Sequence, residues 1–369
     1  MKKRLAIKMK RVYKGNIVLK NKVLRGGYVS VENGNITYVG KICPLSDEVV
    51  EFKSGYIIPG FIDIHCHASS NNTSVTNPSE VAAYHKKHGT TSMLLTYYRD
   101  VPHSKLLDCL NQVKQLVSEG GNVVGAHLEG PILNANLGTG SGNKQEFPNK
   151  SLYREYIKTG VVKQWTSSPE VDGVIDMIKD ISNAGIVPSI GHSKATYNQV
   201  LNAYNAGAKI VTHIFDATGT TKNENTLLGT EDVSFDEACM LMSDMFYEVI
   251  CDKNWVHVKK EKLALLIKTV GIDRVVAITD SYLSDGNSDT DINVFAGKNG
   301  LELSGSKLTM DGVCVNLFNA GYKPYEVCKM TSYNASRALN LLDRGEIAVG
   351  NKAHLLLVDS SMKLIKELN

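Results

Sequence analysis

The middle of the chain alternates between apolar, β-branched runs and amphipathic segments. Eight runs are typical of buried strands, because their apolar positions are nearly continuous. They are Phe61–His67, Thr91–Tyr97, Val123–Glu129, Val161–Ser168, Ile186–His192, Lys209–Phe215, Phe246–Asp252 and Arg274–Asp280. Three intervening segments have apolar residues near helical spacing and end at glycine, namely Val171–Gly185, Lys194–Gly207 and Lys259–Gly271. Strands that alternate with helices predict parallel pairing, and eight such units predict a TIM-type (β/α)8 barrel.

Both ends of the chain have a different pattern. "GNIVLKNKVLRGGYVSVENGNITYVGK" near the start and "GEIAVGNKAHLLLVDSSMKLIK" near the end show short stretches rich in β-branched residues, and "ENGN" is a hairpin-turn signal. We therefore expect an α/β protein in which both termini build a small β-sandwich domain. The predicted bounds are 1–57 and 341–369 for this domain and 58–340 for the catalytic barrel.

Composition narrows the class of protein. The 369 residues are 43% hydrophobic and 21% charged, which is ordinary for a soluble globular enzyme. A net charge of +3 gives no case for a nucleic-acid partner, and the basic segment Met1–Arg11 is interpreted as a solvated strand edge. No run approaches the roughly 20 apolar residues of a membrane helix, so no membrane partner is expected. The seven scattered cysteines contain no C-x-x-C pair, which predicts free thiols and a cytoplasmic location.

Polar side chains collect where the predicted barrel strands end. These are His65, His67, His127, Glu129, His192, His213, Asp252 and Asp280. Catalytic groups of such barrels lie at the C-terminal ends of the strands. So many metal-competent and acid–base residues at corresponding positions predict an active site there.

The alternation of side chains along a strand predicts that several of these residues could bind a metal together. Side chains at i and i+2 share a face of a strand, so His65 and His67 point together and Cys66 points into the core. Glu129, His192 and His213 can reach the same region. Histidines with a carboxylate suit zinc or another borderline divalent metal, and iron and manganese stay possible.

Asp280 is the predicted proton carrier. It ends the eighth strand, and a carboxylate beside a bound metal can take a proton from metal-bound water and pass it to a leaving group. Asp63 shares the face of His65 but lies deeper, which favours a buried structural acid over a partner of a ligand. For His127 two roles are open: it either supports a metal ligand or faces the substrate.

At these residues the chain resembles the amidohydrolase superfamily, and within it the N-acetylglucosamine-6-phosphate deacetylases. The resemblance spans nearly the whole chain. It is carried by "PGFIDIHCH", "GAHLEGP", "GHSKA", "THIFDA", "VHV", "ITDS", "SGSKLTMD" and "GEIAVGNKAHLLLVD". A glutamate on the third strand replaces the carboxylated lysine of many relatives.

The resemblance implies a mechanism. Glu129, His192 and His213 would hold the principal metal, and His65 with His67 would allow a second ion, zinc being the first choice. Metal-activated hydroxide would attack the acetyl carbonyl of an amino sugar, N-acetylglucosamine 6-phosphate or a close relative, with Asp280 as general base and acid. The family typically forms homodimers in which the neighbouring subunit completes the substrate pocket.

The resemblance also implies where the substrate binds. The residues expected to bind the substrate are His257, Asp216, Ala217, Lys222 and Met310, with His257 and the backbone near Asp216 and Ala217 close to the sugar phosphate.

The substrate loops depart from the family pattern. The family usually has Asn where this chain has Asp216, and a negative charge there would be unfavourable near a phosphate. A histidine expected in Ile132–Phe147 is missing, and so is an arginine expected after the sixth strand, where Lys222 is the nearest substitute. The family's "DG-x-H" is lengthened to Asp252–His257.

Two rival functions follow from the same residues. One is an amidohydrolase that cleaves another N-acyl or a cyclic amide substrate. Its carboxylated lysine would have to be Lys163, which lies near the start of the fourth strand and far from the metal face. The other is a non-catalytic barrel that serves as a scaffold, which the retention of all five ligands and Asp280 disfavours.

Overall fold

The structure is a computed structural model that describes residues 10–46, 48–138, 144–223, 225–297 and 300–368. The described strands are β1 Arg11–Leu19, β2 Lys22–Glu32, β3 Asn35–Gly40, β4 Glu48–Glu51, β5 Tyr56–Pro59, β6 Phe61–Asp63, β7 Thr90–Tyr98, β8 Val123–Glu129, β9 Val162–Ser167, β10 Val187–Ile190, β11 Ile210–Val211, β12 Phe246–Ile250, β13 Val275–Ile278, β14 Ile292–Gly297, β15 Gly300–Ser306, β16 Leu355–Val358 and β17 Leu364–Leu368.

The helices lie mostly between the barrel strands. They are α1 Pro78–Lys87, α2 His103–Ser118, α3 Lys150–Lys158, α4 Val174–Asn183, α5 Tyr197–Ala206, α6 Phe235–Met240, α7 Lys260–Val270, α8 Met310–Asn319, α9 Pro324–Cys328 and α10 Asn334–Ala338, with a 3-10 turn at Ile272–Arg274 and a π turn at Lys329–Tyr333. The three helices predicted from sequence correspond to α4, α5 and α7. None of the described helices is long and apolar enough to cross a membrane.

Strands β6 to β13 form the predicted barrel. They are hydrogen-bonded in sequence order, and every neighbouring pair is parallel. Each of the eight predicted strands is confirmed, although several are shorter than their apolar runs. Their side chains and those of the surrounding helices form one large hydrophobic core.

The barrel closes where β13 meets β6. The Asp280 N–H donates to the His65 carbonyl at 2.9 Å, and Cys66 and Ser281 form a parallel bridge. The buried Asp63 carboxylate accepts from the Thr279 hydroxyl at 2.6 Å. Asp63 thus joins the first strand to the last, which agrees with its predicted structural role.

The two termini meet in a second sheet, as predicted. This seven-stranded sheet runs in the order β17-β16-β5-β1-β2-β3, with β4 also paired to β1. Its own core includes Ile17, Ile57 and Leu355. The predicted domain boundary at residue 57 falls inside β5, which leads directly into β6.

An antiparallel hairpin, β14 with β15, follows the last barrel strand. It is tied to the barrel by the Ser306 hydroxyl, which donates to the Thr279 carbonyl at 2.6 Å. The partly buried ion pair of Lys307 with Asp285, at 2.7 Å, holds its base. The hairpin therefore stands over the C-terminal mouth of the barrel.

Candidate active site

A cavity of about 320 Å³ opens at the C-terminal ends of the barrel strands. The predicted residues that line it are His67, Glu129, His192, His213, Asp216, Ala217 and Asp280. The hairpin supplies Phe295 and Leu303 to the same wall. The structure therefore brings the predicted metal ligands and proton carrier together at the expected end of the barrel.

Glu129 lies between two pairs of histidines. Its Oε1 atom is 2.9 Å from the Nε2 atoms of both His192 and His213. Its Oε2 atom is 3.1 Å from His67 Nε2 and 3.4 Å from His65 Nε2. One carboxylate thus presents one oxygen to each pair, the arrangement of a group that can bridge two metal ions.

Hydrogen bonds at the Nδ1 atoms of two histidines orient the rings and indicate which ring nitrogen carries the proton. The Nδ1 atom of His213 is 3.2 Å from the Asp216 carbonyl, which can only accept, so Nδ1 carries the proton. The Nδ1 atom of His65 is 3.1 Å from a Glu248 carboxylate oxygen. These contacts would leave the Nε2 atoms of both rings able to bind a cation beside Glu129, and orientation by an outer carboxylate or carbonyl is usual for metal-binding histidines.

The inner nitrogens also face each other. Within each histidine pair the two Nε2 atoms are 3.1 Å apart. Two lone pairs at this distance repel unless a proton or a cation lies between them. The donor set, histidine nitrogens with a carboxylate, fits a divalent metal such as zinc in each of two groups that share Glu129.

Charge in the site favours ionised carboxylates. Burial alone would raise the pKa of Glu129, but the charge of His65 and hydrogen bonds from His192 and His213 hold it well below the usual value. Burial likewise opposes ionisation of Asp280, and the charge of His65 with the hydrogen bond from His67 lowers its pKa. Both groups are therefore poised as anions.

Asp280 lies next to one histidine pair. Its Oδ1 atom is 3.4 Å from the Nε2 atoms of both His65 and His67. It is mostly buried yet reaches the cavity wall. This position allows it to exchange a proton with a molecule bound at the pair.

Three of these residues have left-handed backbone. The φ angles are +46° at His192, +26° at His213 and +46° at Asp280. Each residue follows shortly after the end of its strand, where an extended chain would send the side chain elsewhere. Non-glycine residues rarely adopt this conformation, and such strain clusters at functional sites.

His127 lies beneath the histidine pairs and is fully buried. Its Nε2 atom is 2.7 Å from the Thr166 hydroxyl, and its ring packs edge-on against His65 with centroids 4.6 Å apart. Burial holds its pKa well below the ordinary value, so the ring is neutral. The geometry favours the supporting role over the substrate-facing one.

The predicted substrate residues are divided by the structure. Asp216 and Ala217 line the cavity. His257 is buried, with its Nδ1 atom 3.2 Å from Asp252. Burial lowers the pKa of His257, but the hydrogen bond to Asp252 and the charge of Asp216 raise it above the usual value. Lys222 is exposed and Met310 is buried at the start of α8, and neither is part of the cavity wall.

The loop Ile132–Phe147 is only partly described. Residues 139–143 lie outside the described residues. Gly138 lines the cavity with φ +71°, and a Cβ atom there would lie 2.4 Å from His192 Nδ1. The loop therefore packs directly on a predicted metal ligand.

Sequence reasoning missed several residues of the site. Glu248 on β12 is fully buried, and its second carboxylate oxygen accepts from Gln164 at 2.6 Å. A glutamate inside the apolar run "FYEVI" was the signal that could have identified it. Tyr98, Arg99 and Tyr282 line the cavity from strand ends and loops, where no periodicity marks them.

Comparisons with known proteins agree with this geometry. A model of the amidohydrolase family matches residues 56–369. The chain is 27% identical to an N-acetylglucosamine-6-phosphate deacetylase of Bacillus subtilis over 95% of this chain and 93% of that protein. It is 25% identical to an N-acetylgalactosamine-6-phosphate deacetylase of Escherichia coli over 88% and 89% of the two chains.

Solved structures show the same likeness. An N-acetylglucosamine-6-phosphate deacetylase from Thermotoga maritima matches with a TM-score of 0.81 and 25% identity, covering 97% of this chain and 98% of that one. The corresponding enzyme of Mycobacterium smegmatis, in complex with N-acetyl-D-glucosamine-6-phosphate, matches with a TM-score of 0.82 at 22% identity, covering 98% of each chain. The latter shares the fold.

Proposed function

The chain belongs to the amidohydrolase family, and from that membership we propose that it removes the N-acetyl group from an amino sugar. The proposed substrate is N-acetylglucosamine 6-phosphate or a close relative, and the products are the free amino sugar phosphate and acetate. The relatives that match over most of their length are deacetylases of such sugars.

One observation carries the proposal. Glu129 presents one oxygen to each of two histidine pairs, and Asp280 lies 3.4 Å from one of these pairs on a cavity wall. A metal site beside an ionised carboxylate can catalyse the hydrolysis of an unactivated amide. A scaffold protein would have no need for strained backbone at His192, His213 and Asp280.

We propose that the site holds two divalent ions, zinc being preferred by its histidine-rich donors. His192 and His213 would hold one, His65 and His67 the other, and Glu129 would contribute to both. When bound, such ions supply Lewis acidity for the acetyl carbonyl and lower the pKa of water.

The chain's own residues move the proton. Asp280, as a carboxylate, accepts a proton from the attacking water through Oδ1. It then donates that proton to the sugar nitrogen as the C–N bond breaks, so that the amine leaves neutral. The hairpin residues Phe295 and Leu303 cover the cavity and reduce the access of bulk water.

The test is acetate release by purified, metal-loaded protein. The panel comprises N-acetylglucosamine, N-acetylgalactosamine and N-acetylmannosamine, each with and without a 6-phosphate, together with N-acetyl amino acids. We expect the highest kcat/KM for a 6-phosphate sugar. Release from none of the sugars, or from amino acids alone, would overturn the assignment.

We also propose a homodimer. Leu227, Leu228 and Leu241 are large apolar side chains exposed near one another in sequence after β11, and Val233 accompanies them. Val233 and Leu241 line one surface depression, and contiguous exposed apolar surface marks an interface between chains. Leu228→Glu should shift the mass measured by light scattering from dimer to monomer, and an unchanged mass would place the interface elsewhere.

A cytoplasmic location is part of the same proposal. All seven cysteines are free, and six of them are buried. Free thiols in this number suit a reducing compartment. Cell fractionation with an antibody against the chain tests this location.

A further inference from the structure

The loop that carries His192 is fastened to a neighbouring loop by two residues that follow β9. Strand β9 itself contains no predicted metal ligand, but Ser168 and Glu170 stand shortly after it. The Ser168 hydroxyl donates to the His192 carbonyl at 2.8 Å and accepts from the Asn134 N–H at 2.8 Å. Ser168 therefore joins the backbone of a predicted ligand to the loop that follows β8.

Glu170 fastens the same two loops through its side chain. Its Oε1 atom accepts from the side-chain amide of Asn134 at 2.8 Å and from the Lys194 N–H at 2.9 Å. Its Oε2 atom accepts from the Ser193 hydroxyl at 2.6 Å. One carboxylate thus receives three hydrogen bonds, two of them from the two residues that follow His192 in the chain.

The ring of His192 is oriented differently from two of the other histidine rings. The Nδ1 atoms of His65 and His213 face a carboxylate and a carbonyl oxygen. The Nδ1 atom of His192 is buried, and within the described part of the chain no hydrogen-bond partner reaches it. That edge of the ring packs on Gly138 instead, where a Cβ atom would lie 2.4 Å away. The orientation of this ring therefore depends on its own backbone and on the loop that contains Gly138.

The backbone at His192 needs contacts that hold it. Its φ angle is +46°, a left-handed value that residues other than glycine rarely adopt. A conformation of this kind persists only where the surrounding structure maintains it. The hydrogen bonds from Ser168 to the His192 carbonyl, and from the next two residues to Glu170, provide that support.

We propose that Glu170 is a positioning residue for the ion that His192 and His213 would hold. It clamps the backbone after His192 to residues 134–138, which pack on the ring, so that the His192 Nε2 atom stays directed at Glu129, 2.9 Å away. This inference rests on the metal-dependent function proposed above. Outer residues that fix a metal ligand typically change metal affinity 10- to 100-fold, although they do not touch the ion.

The test measures the binding of Co²⁺, because its visible absorption depends on the geometry of its ligands. Each histidine pair is isolated first. His65→Gln with His67→Gln leaves the pair of His192 and His213, and His192→Gln with His213→Gln leaves the other pair. Glu170→Ala is then added to each background. It should lower the cobalt affinity about 10- to 100-fold and alter the spectrum in the first background, and change neither in the second.

Two more variants separate positioning from a general loss of folding. Glu170→Gln keeps an oxygen that can accept from Asn134 and Lys194, so it should restore most of the cobalt affinity lost in Glu170→Ala. Asn134→Asp places a second carboxylate beside Glu170 and should weaken cobalt binding at the same pair while Glu170 is still present.

Glu261→Ala is the matched control, because Glu261 lies on the exposed surface of α7. In both backgrounds its cobalt affinity should equal that of the parent protein. If Glu170→Ala lowered the cobalt affinity equally in both backgrounds, or in neither, the proposed role of Glu170 would be wrong.

These binding measurements use no substrate, so their outcome is independent of the proposed activity. If no sugar is hydrolysed but Glu170→Ala lowers the cobalt affinity at the one pair, the activity is wrong and the role of Glu170 stands. If sugars are hydrolysed and the cobalt affinity is unchanged, the role of Glu170 is wrong and the activity stands. In an active enzyme, excess metal should restore the kcat of Glu170→Ala at an unchanged KM, which loss of a sugar-binding residue would not show.

Discussion

At the scale of single residues, Asp280 acts through two different groups. Its backbone N–H closes the barrel by donating to the His65 carbonyl, while its carboxylate faces the Nε2 atoms of His65 and His67. The left-handed backbone at φ +46° allows both contacts at once. The position of the proposed proton carrier is therefore fixed by the fold itself.

Asp280→Asn should abolish most turnover and leave the metal content near that of the wild type. Asparagine keeps the size and the backbone contact but cannot accept the proton, and general base catalysis contributes roughly 10²–10⁴-fold. Acetate release and elemental analysis on the same preparation check both parts. Turnover that stays within a few-fold of the wild type would exclude Asp280 as the proton carrier.

Glu248 is expected to set the metal affinity at one pair only. Its carboxylate orients the His65 ring at 3.1 Å, and loss of such a partner typically weakens metal binding 10- to 100-fold. In Glu248→Gln we expect a chelator titration to remove one ion more easily and leave the ion at His192 and His213.

Glu261→Gln, on the exposed surface of α7, is the control for this change of charge. Its chelator titration should match that of the wild type. If Glu248→Gln lowered the affinity for both ions equally, the carboxylate would act on the barrel as a whole.

What could be predicted at this scale depended on periodicity. The i, i+2 rule placed His65 and His67 on one face, and their Nε2 atoms are 3.1 Å apart. Arg99 carries no such signal, because it stands just past a strand where the backbone direction is set by tertiary contacts. Lys222 and Met310 were inferred from motif likeness alone, and the structure keeps both off the cavity wall.

At the scale of elements, α1 is attached to the loop that follows the first barrel strand. His85 on α1 has its Nε2 atom 2.9 Å from the Ala68 carbonyl, which accepts its proton, and 3.1 Å from Cys66 Sγ. The ring is completely buried, and burial lowers its pKa to about 4. A neutral His85 is thus part of the support beneath His65 and His67.

This burial predicts a loss of stability in acid. The unfolded chain, with an ordinary histidine pKa near 6.5, binds more protons than the folded chain between pH 6.5 and about 4. The free energy of unfolding should therefore fall as pH decreases through that window, by up to about 3 kcal/mol from His85. Urea unfolding at pH 7 and pH 5 measures the effect.

His85→Gln should make this pH dependence shallower by the contribution of His85, since a glutamine amide can still donate to the Ala68 carbonyl and does not titrate. His103→Gln changes a partly exposed histidine at the start of α2 and should keep the dependence of the wild type, because His85 remains. An equally steep slope in His85→Gln would contradict the assignment.

The elements themselves were the easiest part to predict. Each barrel strand is buried on both faces, so its apolar run is nearly continuous and could be recognised directly. Strand ends were less accurate: the apolar run ending at Phe215 gives only Ile210–Val211 as β11. There the left-handed residues His213, Phe215 and Ala217 interrupt the ladder, and this depends on contacts that sequence patterning does not reveal.

At the scale of the whole molecule, bound metal should stabilise the folded state. The two groups that share Glu129 exist only in the folded chain, so ions bind it in preference to the unfolded chain. At 100 times the dissociation constant each ion adds about 2.7 kcal/mol. Treatment with a strong chelator should therefore lower Tm by several degrees, and zinc should restore it.

The double variant His65→Gln with His67→Gln is the comparison for this experiment. It should retain a smaller Tm increase on addition of zinc, because His192, His213 and Glu129 can still bind one ion. An unchanged Tm in the chelated wild type would contradict metal binding at this site.

The overall architecture was predictable because strands and helices alternate in sequence, and the composition of the two ends indicated a shared sheet. The pairing of β5 with β1 and β16, which joins residues near the start to residues near the end, required the structure. Long-range pairings of this kind leave no local pattern.

Closure of the barrel between β6 and β13 has a consequence for biosynthesis. His65 is among the first barrel residues to be translated and Asp280 among the last, yet each contacts the other in the finished site. Because the chain is made from its N-terminus at about 5–20 residues per second, the early histidines exist for some ten seconds or more before Asp280 is added. Metal is therefore expected to bind this protein late in its maturation, after the whole barrel has been synthesised.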